Sequence, residues 1–377
     1  MAAYANSRVN TASLFESVPN FSEGRDREVI DAIAAATVTA HLLDVDADPD
    51  HNRVVISLAA HRKGLLGALT ASAAVAVDRI DLRRHQGVHP RVGASDVIPI
   101  VPLGATSLTS CHELARDLGE RIWTELKVPI YFYGHGERHT LADIRAGRAR
   151  PDLGGPSPHP TAGAACIGAR SMLVAFNVLL PETDFVAARA LARSLRESAG
   201  GMRGVQALAF KLPGRVQLSM NLFRLSETPP AAVEAELARR NVVLGSQQLV
   251  GLCPAAVAIP VAAGRLVEGR LAAAAAQAGA RRCRDQGDLE HIALAMRLER
   301  ESQELAQLGI GQDDLLAGAE RAAALAPVLK AAGALDDELD GMISVAAGGL
   351  RDAISEQTRS RYGARMAALG QRLETTP

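Results

Sequence analysis

The sequence predicts a mixed α/β (α+β) fold in which two ferredoxin-like βαββαβ subdomains form a cleft, followed by a C-terminal helical extension. Two observations predict the subdomains: short β-type runs alternate with helical stretches, and this order occurs twice along the chain. A third predicts the extension, because Ala, Leu, Glu and Arg dominate beyond about residue 265 and the periodicity there is helical. A cleft between two such units is the usual place for a small-molecule site.

The first βαββαβ unit is predicted between residues 13 and 101. Its first strand ends at the turn signal Pro19-Asn20, and its first helix places Val29, Ile30 and Ile33 on one face. A further helix at 110–126 and a strand at 128–133 follow the unit. The unit itself contains predicted strands at 13–18, 42–45, 54–58 and 97–101 and predicted helices at 26–36 and 61–77.

The second unit follows a stretch, 148–165, that is too rich in Gly and Pro for regular structure and is predicted to be a linker or a binding loop. Pro213-Gly214 predicts a tight turn between two strands of this unit. The predicted elements are strands at 172–179, 205–211, 216–221 and 242–245 and helices at 184–197 and 230–239.

The C-terminal extension contains one clear amphipathic helix, and nothing in it resembles a catalytic motif. It is predicted to serve packing or dimerisation. The predicted domain limits are 1–170, 171–265 and 266–377. The apolar stripe of the helix contains Leu335, Leu339, Met342, Ile343, Ala346 and Leu350.

The composition is that of an ordinary globular protein, with 48% hydrophobic and 22% charged residues and a net charge of −1. This charge balance, with only 3% aromatic residues, argues against a nucleic-acid-binding surface. The apolar runs are too short to cross a bilayer, and residues 1–10 lack the apolar core of a secretory signal. The four widely spaced cysteines predict buried, reduced thiols, and the expected compartment is the cytoplasm.

The densest polar cluster lies at 81–96 and contains two histidines, three arginines and two aspartates. His85 and His89 are four positions apart, which on a helix would suit a metal. Gly87 and Pro90 disfavour a helix here, so a loop histidine that transfers protons is the stronger interpretation. A solvated basic loop is the alternative, because loops lie at the surface.

Two further clusters are less specific. The acidic segment 44–53 lacks the glycine and the terminal glutamate of a calcium-binding EF-hand loop. Asp46, at the end of a predicted strand, is a candidate for orienting a substrate amine or an imidazole. In segment 18–26, Asn20 or Ser22 is a candidate cap for the following helix, where free backbone N–H groups suit a carboxylate.

Taken together, these segments resemble the formiminotransferase domain of glutamate formimidoyltransferases. The matches keep their order over roughly residues 15–260. They are 18–25 (VPNFSEGR), 42–46 (LLDVD), 48–53 (DPDHNR), 89–91 (HPR), 93–96 (GASD), 141–147 (LADIRAG), 151–154, 168–170, 173–177 (LVAFN) and 245–254.

The resemblance implies an enzyme that moves a formimino group from N-formiminoglutamate to tetrahydrofolate, giving 5-formiminotetrahydrofolate and glutamate. This reaction belongs to histidine degradation and one-carbon metabolism. It also implies that the predicted domains are the N-terminal and C-terminal formiminotransferase subdomains and a helical extension. Tetrahydrofolate is then the co-substrate, no metal is needed, and the expected assembly is a homodimer around a folate cleft.

The resemblance also implies site residues. His89 matches the catalytic histidine, and Asp46 matches an aspartate near it. General acid–base catalysis by one imidazole suits the reaction, with Asp46 holding its tautomer and Arg53 and Arg91 binding substrate carboxylates. The segment that matches the folate-binding stretch contains Gly154, Gly155, Pro156, Ser157, Pro158, His159, Pro160, Thr161, Ala162 and Gly163.

Two departures from the family pattern keep other functions open. Val88 stands where the family usually has a glutamate before the histidine, and Thr161-Ala162 replaces an aromatic residue of some relatives. One alternative is a non-catalytic folate-binding or assembly protein on the same fold. Another is a related one-carbon transferase with a different donor. The glycine-rich signature of the cyclodeaminase fused to some relatives is absent, so that activity is not expected.

Overall fold

The computed structural model describes residues 13–355 of the 377-residue chain. They form two compact units: the first contains both β-sheets, and the second contains the helices that follow residue 252. No helix in the described range is long and apolar enough to cross a membrane. The predicted domain limits at residues 170 and 265 stay predictions.

The first sheet is built on the predicted βαββαβ order. Its core strands run in the spatial order β3, β4, β1/β2 and β5, all antiparallel, which is the ferredoxin-like arrangement. The prediction of this fold is confirmed. The elements are β1 (Leu14–Ser17), β2 (Asn20–Phe21), α1 (Arg27–Ala35), β3 (His41–Asp48), β4 (Arg53–His61), α2 (Arg62–Arg79) and β5 (Ser95–Leu103).

β1 and β2 act as one strand that is interrupted at Val18 and Pro19. Leu14 pairs with His61 and Asn20 with Val55, so the register against β4 is unchanged across the break. Proline has no N–H for the ladder, which explains the interruption. The break leaves Asn20 within the sheet, between β4 and β5.

Two parallel strands extend this sheet beyond β5. β7 (Ala165–Ala169) pairs with β5, and β6 (Ile130–Gly134) pairs with β7. α3 (Leu108–Leu126) packs on these strands. Sequence periodicity missed β7 and the one-turn helix α4 (Leu141–Arg145), because both are five residues long and show no clear period.

The second sheet repeats the ferredoxin-like order as β11, β8, β10, β9, again antiparallel. The predicted strand at 242–245 is wrong: the segment is irregular, and β11 begins at Gln247. Val243 is 45% exposed, whereas Leu249 is buried against β8, so cross-strand burial decided the position of the strand. The elements are β8 (Val174–Leu179), α5 (Phe185–Leu195), β9 (Val205–Leu212), β10 (Arg215–Leu222), α6 (Pro230–Arg239) and β11 (Gln247–Val250).

The second unit is helical, as predicted, over its described residues. Leu339, Met342, Ile343, Ala346 and Leu350 form the buried stripe of the last helix, which packs against two others of the same unit. Leu335 precedes that helix. The helices are α7 (Val267–Gln286), α8 (Leu289–Ala306), α9 (Gln312–Ala331) and α10 (Asp337–Ala353).

The two faces of the first sheet have different roles. Val54, Ile56 and Leu58 of β4 belong to the hydrophobic core under helices α1, α2 and α3. The alternate residues Val55 and Ser57 are also buried, although they point away from those helices. We call this second side the open face, because it is the side that holds the polar groups described below.

Ile343→Ala should lower the free energy of unfolding of the helical unit by about 2–5 kcal/mol, because the side chain is fully enclosed by neighbouring helices. Gly341→Ala, in the same helix but facing open space, should be neutral or stabilise by up to about 1 kcal/mol. Urea unfolding followed by helical circular dichroism compares the two. Equal stability of both variants would contradict the described packing of α10.

Candidate functional site

One row of side chains crosses the open face from edge to edge. Directly paired residues of neighbouring strands lie on the same face of a sheet. Asp46 and Asn20 both pair with Val55, so they share this face. The backbone at Gly251 lies close to Val55 and to Ser57 on the same face. The paired row consists of Asp46, Val55, Asn20, Val97, Cys166 and Tyr131.

His89 lies beside Arg53, the first residue of β4. Its Nδ1 lies 2.8 Å from the carbonyl oxygen of Pro90, and its Nε2 lies 2.8 Å from Nη1 of Arg53. A carbonyl oxygen only accepts and a guanidinium only donates. His89 is therefore neutral, with the proton on Nδ1 and the lone pair on Nε2 directed at Arg53.

The electrostatics agree with that protonation state. Burial, with further contributions from the positive charges of Arg53 and Arg145, lowers the pKa of His89 to about 2. Burial also lowers the pKa of Arg53 to about 10, with Asp96 opposing the change, so Arg53 stays charged near neutral pH. A neutral imidazole next to a fixed cation is the resting state of this site.

Asp96 and Arg145 form an ion pair next to Arg53. Asp96 is buried, and its carboxylate accepts from the Val92 N–H and, at 3.1 Å, from Nη2 of Arg145. Arg145 comes from α4, the short helix that sequence periodicity missed. This ion pair holds the segment after His89 against α4.

Arg91 braces the loop that carries His89. It donates to the carbonyl oxygens of His51 (3.2 Å), Asn52 (3.3 Å) and His89 (3.0 Å), and its Nη1 also contacts Nε2 of His85. These contacts tie the β3–β4 turn to the histidine loop. The prediction that Arg91 binds a substrate carboxylate stays a prediction.

The β3–β4 turn is shaped by Asn52, which adopts the left-handed conformation with φ of 47°. Its side chain accepts from the Gly24 N–H at 2.9 Å and donates to the Gln86 carbonyl at 3.0 Å. A Cβ at Gly24 would lie 2.4 Å from the Arg53 nitrogen, so only glycine allows this approach. The turn thus brings the VPNFSEGR, DPDHNR and HPR segments together.

The predicted folate segment, 154–163, is hydrogen-bonded to the strand that follows His89. Gly163 forms a β-bridge with Gly93, and Ala94 donates to the carbonyl of Ala162 at 2.8 Å. His159 turns its Nδ1 towards the backbone N–H of Ala162 at 3.1 Å, which stabilises the loop. Most of the stretch from Gly154 to Pro160 is exposed.

Three residues of the site were missed by sequence reasoning. His51 is 6% exposed, and its Nε2 lies 2.8 Å from the side-chain oxygen of Gln217 on β10. Its ring centroid is 5.0 Å from that of Phe210 and 6.0 Å from that of His89. Phe210 in turn lies 5.8 Å from His89. His51 stood in the quoted DPDHNR segment, but nothing in the sequence linked it to strands more than 150 residues away.

Asp46 accepts a hydrogen bond from the Gly251 N–H at 2.9 Å. The two ring nitrogens of His89 are held by Pro90 and Arg53, so it is the Pro90 carbonyl that fixes the tautomer in this structure. The role of Asp46 in orienting the imidazole stays a prediction.

A cavity of about 310 Å³ lies beside the β3–β4 turn and next to Gln217. Side-chain amides form part of its wall, and Asn177 and Gln217 both donate to Gln248. Neither His89 nor segment 154–163 lines it. The lining residues are Ala47, Asp48, Pro49, Asp50, Asn177, Leu179, Leu212, Arg215, Gln217, Ser246 and Gln248.

The four cysteines are free and buried, and burial raises the pKa of the Cys111 and Cys253 thiols to about 12. Across residues 13–355 no cluster of His, Cys, Asp and Glu has the arrangement of a metal site.

Comparison with known proteins places this chain in a family. Residues 14–170 match the formiminotransferase domain, N-terminal subdomain. The glutamate formimidoyltransferase of Thermoplasma acidophilum is 40% identical over a region that covers 66% of this chain and 91% of that protein. That of Streptococcus pyogenes is 35% identical, with 67% and 92% covered. The formimidoyltransferase-cyclodeaminase of Rattus norvegicus is 37% identical, and the match spans 52% of that longer protein.

The fold and these matches define a group transferase of the formiminotransferase class. The chain belongs to the glutamate formimidoyltransferase family, and it is an enzyme of that type.

Gly93→Ala should separate the histidine segment from segment 154–163, because a Cβ there would lie 1.7 Å from the Ala164 carbonyl oxygen. We expect a loss of about 1–3 kcal/mol in the free energy of unfolding. Gly155→Ala is the matched control: it lies in the same pair of segments, faces open space and should change stability by less than about 0.5 kcal/mol. A stable Gly93→Ala protein in urea titration would contradict the described pairing.

Proposed function

We propose that this enzyme transfers the formimino group from N-formiminoglutamate to tetrahydrofolate, with His89 as the general acid and base. The family assignment supports the reaction, and the observation that supports the residue is the neutral imidazole whose Nε2 lone pair faces Arg53 at 2.8 Å. The products are 5-formiminotetrahydrofolate and glutamate, as in histidine degradation and one-carbon metabolism. Tetrahydrofolate is a co-substrate in this proposal.

His89 moves one proton twice. Its Nε2 accepts the proton that N5 of tetrahydrofolate loses on attacking the amidine carbon, and it returns that proton to the departing glutamate nitrogen. A single imidazole that cycles in this way needs its lone pair free. In the resting state that lone pair accepts from Arg53, so Arg53 has to find another partner first.

A substrate carboxylate is the proposed new partner of Arg53. A guanidinium binds a carboxylate more strongly than it binds a neutral imidazole, because the guanidinium and the carboxylate carry opposite charges. Transfer of Arg53 to the carboxylate frees Nε2 of His89 and compensates the positive charge that disfavours the imidazolium. The base is therefore activated only with a substrate in place. Arg91 keeps the loop in position through its backbone contacts.

The open face offers hydrogen-bonding capacity for the folate. Asn20 Oδ1, Ser57 Oγ and Arg53 Nε are buried and have no hydrogen-bond partner among the described residues. A polar heterocycle such as a reduced pterin supplies both donors and acceptors for such groups. Segment 154–163 is proposed to border the same ligand, because it is bonded to the strand after His89. A homodimer and a cytoplasmic location stay predictions.

The defining experiment is an assay of formiminoglutamate-dependent formation of 5-formiminotetrahydrofolate by the full chain. Turnover with this donor supports the proposal. Turnover only with another amidine or formyl donor would replace the donor, and tight folate binding without turnover would favour the non-catalytic alternative. Val88 is 42% exposed, so its difference from the family glutamate alters the surface near His89 without changing the core.

His89→Ala should lower kcat by about 10²- to 10⁴-fold while folate binding persists, because the proton acceptor is lost. His85→Ala should lower kcat much less, since His85 contacts the side chain of Arg91 and is not the proposed proton acceptor. Asp46→Asn should fall between them. Steady-state kinetics with both substrates measures all three. An essential His85 with a dispensable His89 would contradict the assignment of the base.

Arg53→Gln should raise the pKa of His89, because it removes a neighbouring positive charge that lowers it. A base works in its neutral form, so activity is lost as the pH falls through its pKa. The acidic limb of kcat/KM should therefore move to higher pH in the variant, and KM for the donor should rise. The control is Arg84→Gln, since the Arg84 side chain is 88% exposed in the same loop. An unchanged pH profile in Arg53→Gln would contradict the coupling.

A further inference from the structure

His51 takes no part in the proposed proton transfer, although it is almost completely buried beside His89. Its Nε2 lies 2.8 Å from Oε1 of Gln217, which only accepts, so Nε2 carries the proton. Gln217 is held in turn by Gln248 through its own amide nitrogen. The tautomer and the ring plane of His51 are therefore set by the second sheet.

The ring of His51 completes a three-ring cluster around the proposed base. It stands edge-on to Phe210 with 86° between the planes, and at 68° to His89. Phe210 lies on β9 and Gln217 lies on β10. Both contacts of His51 therefore fix its imidazole relative to the second sheet. Edge-to-face contacts of this kind favour one relative orientation of the rings.

We propose that His51 is a positioning residue: its hydrogen bond to Gln217 locks the ring that, together with Phe210, holds the His89 imidazole at its working place between the two sheets. This rests on the proposed function. His51 does not contact the reacting atoms in this proposal and acts through His89 alone.

A second contact between the same turn and the same strand provides an internal comparison. Asp50 forms a salt bridge with Arg215 of β10, two residues from Gln217. This pair also docks the turn on β10, whereas the ring contacts of the cluster among the described residues are made by His51, His89 and Phe210. General docking and ring positioning can therefore be separated by mutation.

His51→Phe keeps a ring but removes the donor, and Gln217→Leu removes the acceptor. Each should lower kcat by about 10- to 100-fold while both KM values change less than threefold, because a displaced base costs rate without weakening binding. The double variant should be no worse than either single one. Gln217→Glu retains an acceptor oxygen and should recover most of the kcat lost in Gln217→Leu. Arg215→Gln should lower kcat less than fivefold.

Initial rates of formimino transfer, measured for the wild type and all variants in one assay, decide the matter. Loss in kcat alone, no additivity and recovery by Gln217→Glu support the positioning role. Full kcat in His51→Phe, a loss confined to KM, or equal losses in Arg215→Gln and His51→Phe would overturn it. An inactive wild-type protein would instead contradict the proposed function. Circular dichroism confirms that each variant is folded, and if His51→Phe fails to fold, the Gln217 pair carries the test.

Discussion

The hydrogen bond between Arg53 and His89 is the contact on which the site depends. It joins β4 to the loop before β5, and because an arginine can only donate, it requires an unprotonated Nε2. Together with the Pro90 carbonyl, which accepts from Nδ1, it fixes the tautomer and the neutral state of the imidazole. Burial above all, and then the neighbouring cation of Arg53, disfavour protonation, which explains why the pKa of His89 lies far below that of a free histidine. The resting imidazole is therefore unprotonated, and in the proposed reaction a substrate carboxylate draws Arg53 away from it.

The fold creates this contact through the turn between β3 and β4. Asn52 in a left-handed conformation, with Gly24 against it, allows the turn to approach the loop, and Arg91 binds the carbonyl oxygens of both. Further along the chain, the second sheet contributes Phe210, which contacts the His89 ring, and Gln217, which binds His51. Side-chain contacts, and not strand pairing, therefore connect the His89 ring to the second sheet.

Local patterns were enough to predict both βαββαβ units, because alternation and helical periodicity depend on neighbours in sequence. They failed where burial by distant strands decided the outcome, as with β7, which is parallel and five residues long, and with the strand placed at 242–245 instead of at Gln247. In the site, the family resemblance pointed to His89, Arg53 and segment 154–163. The partners of His51 lay beyond prediction, since its contact with Gln217 spans 166 positions.

The protonation state of His89 is tested most directly by ¹⁵N NMR of its ring, assigned by comparison with His89→Gln. Without substrate near neutral pH, we predict a neutral ring with the proton on Nδ1 and an unprotonated Nε2 that accepts from Arg53. Adding a substrate carboxylate should perturb the Nε2 signal, because Arg53 leaves it. A resting ring protonated on Nε2, or an imidazolium at neutral pH, would contradict the central claim.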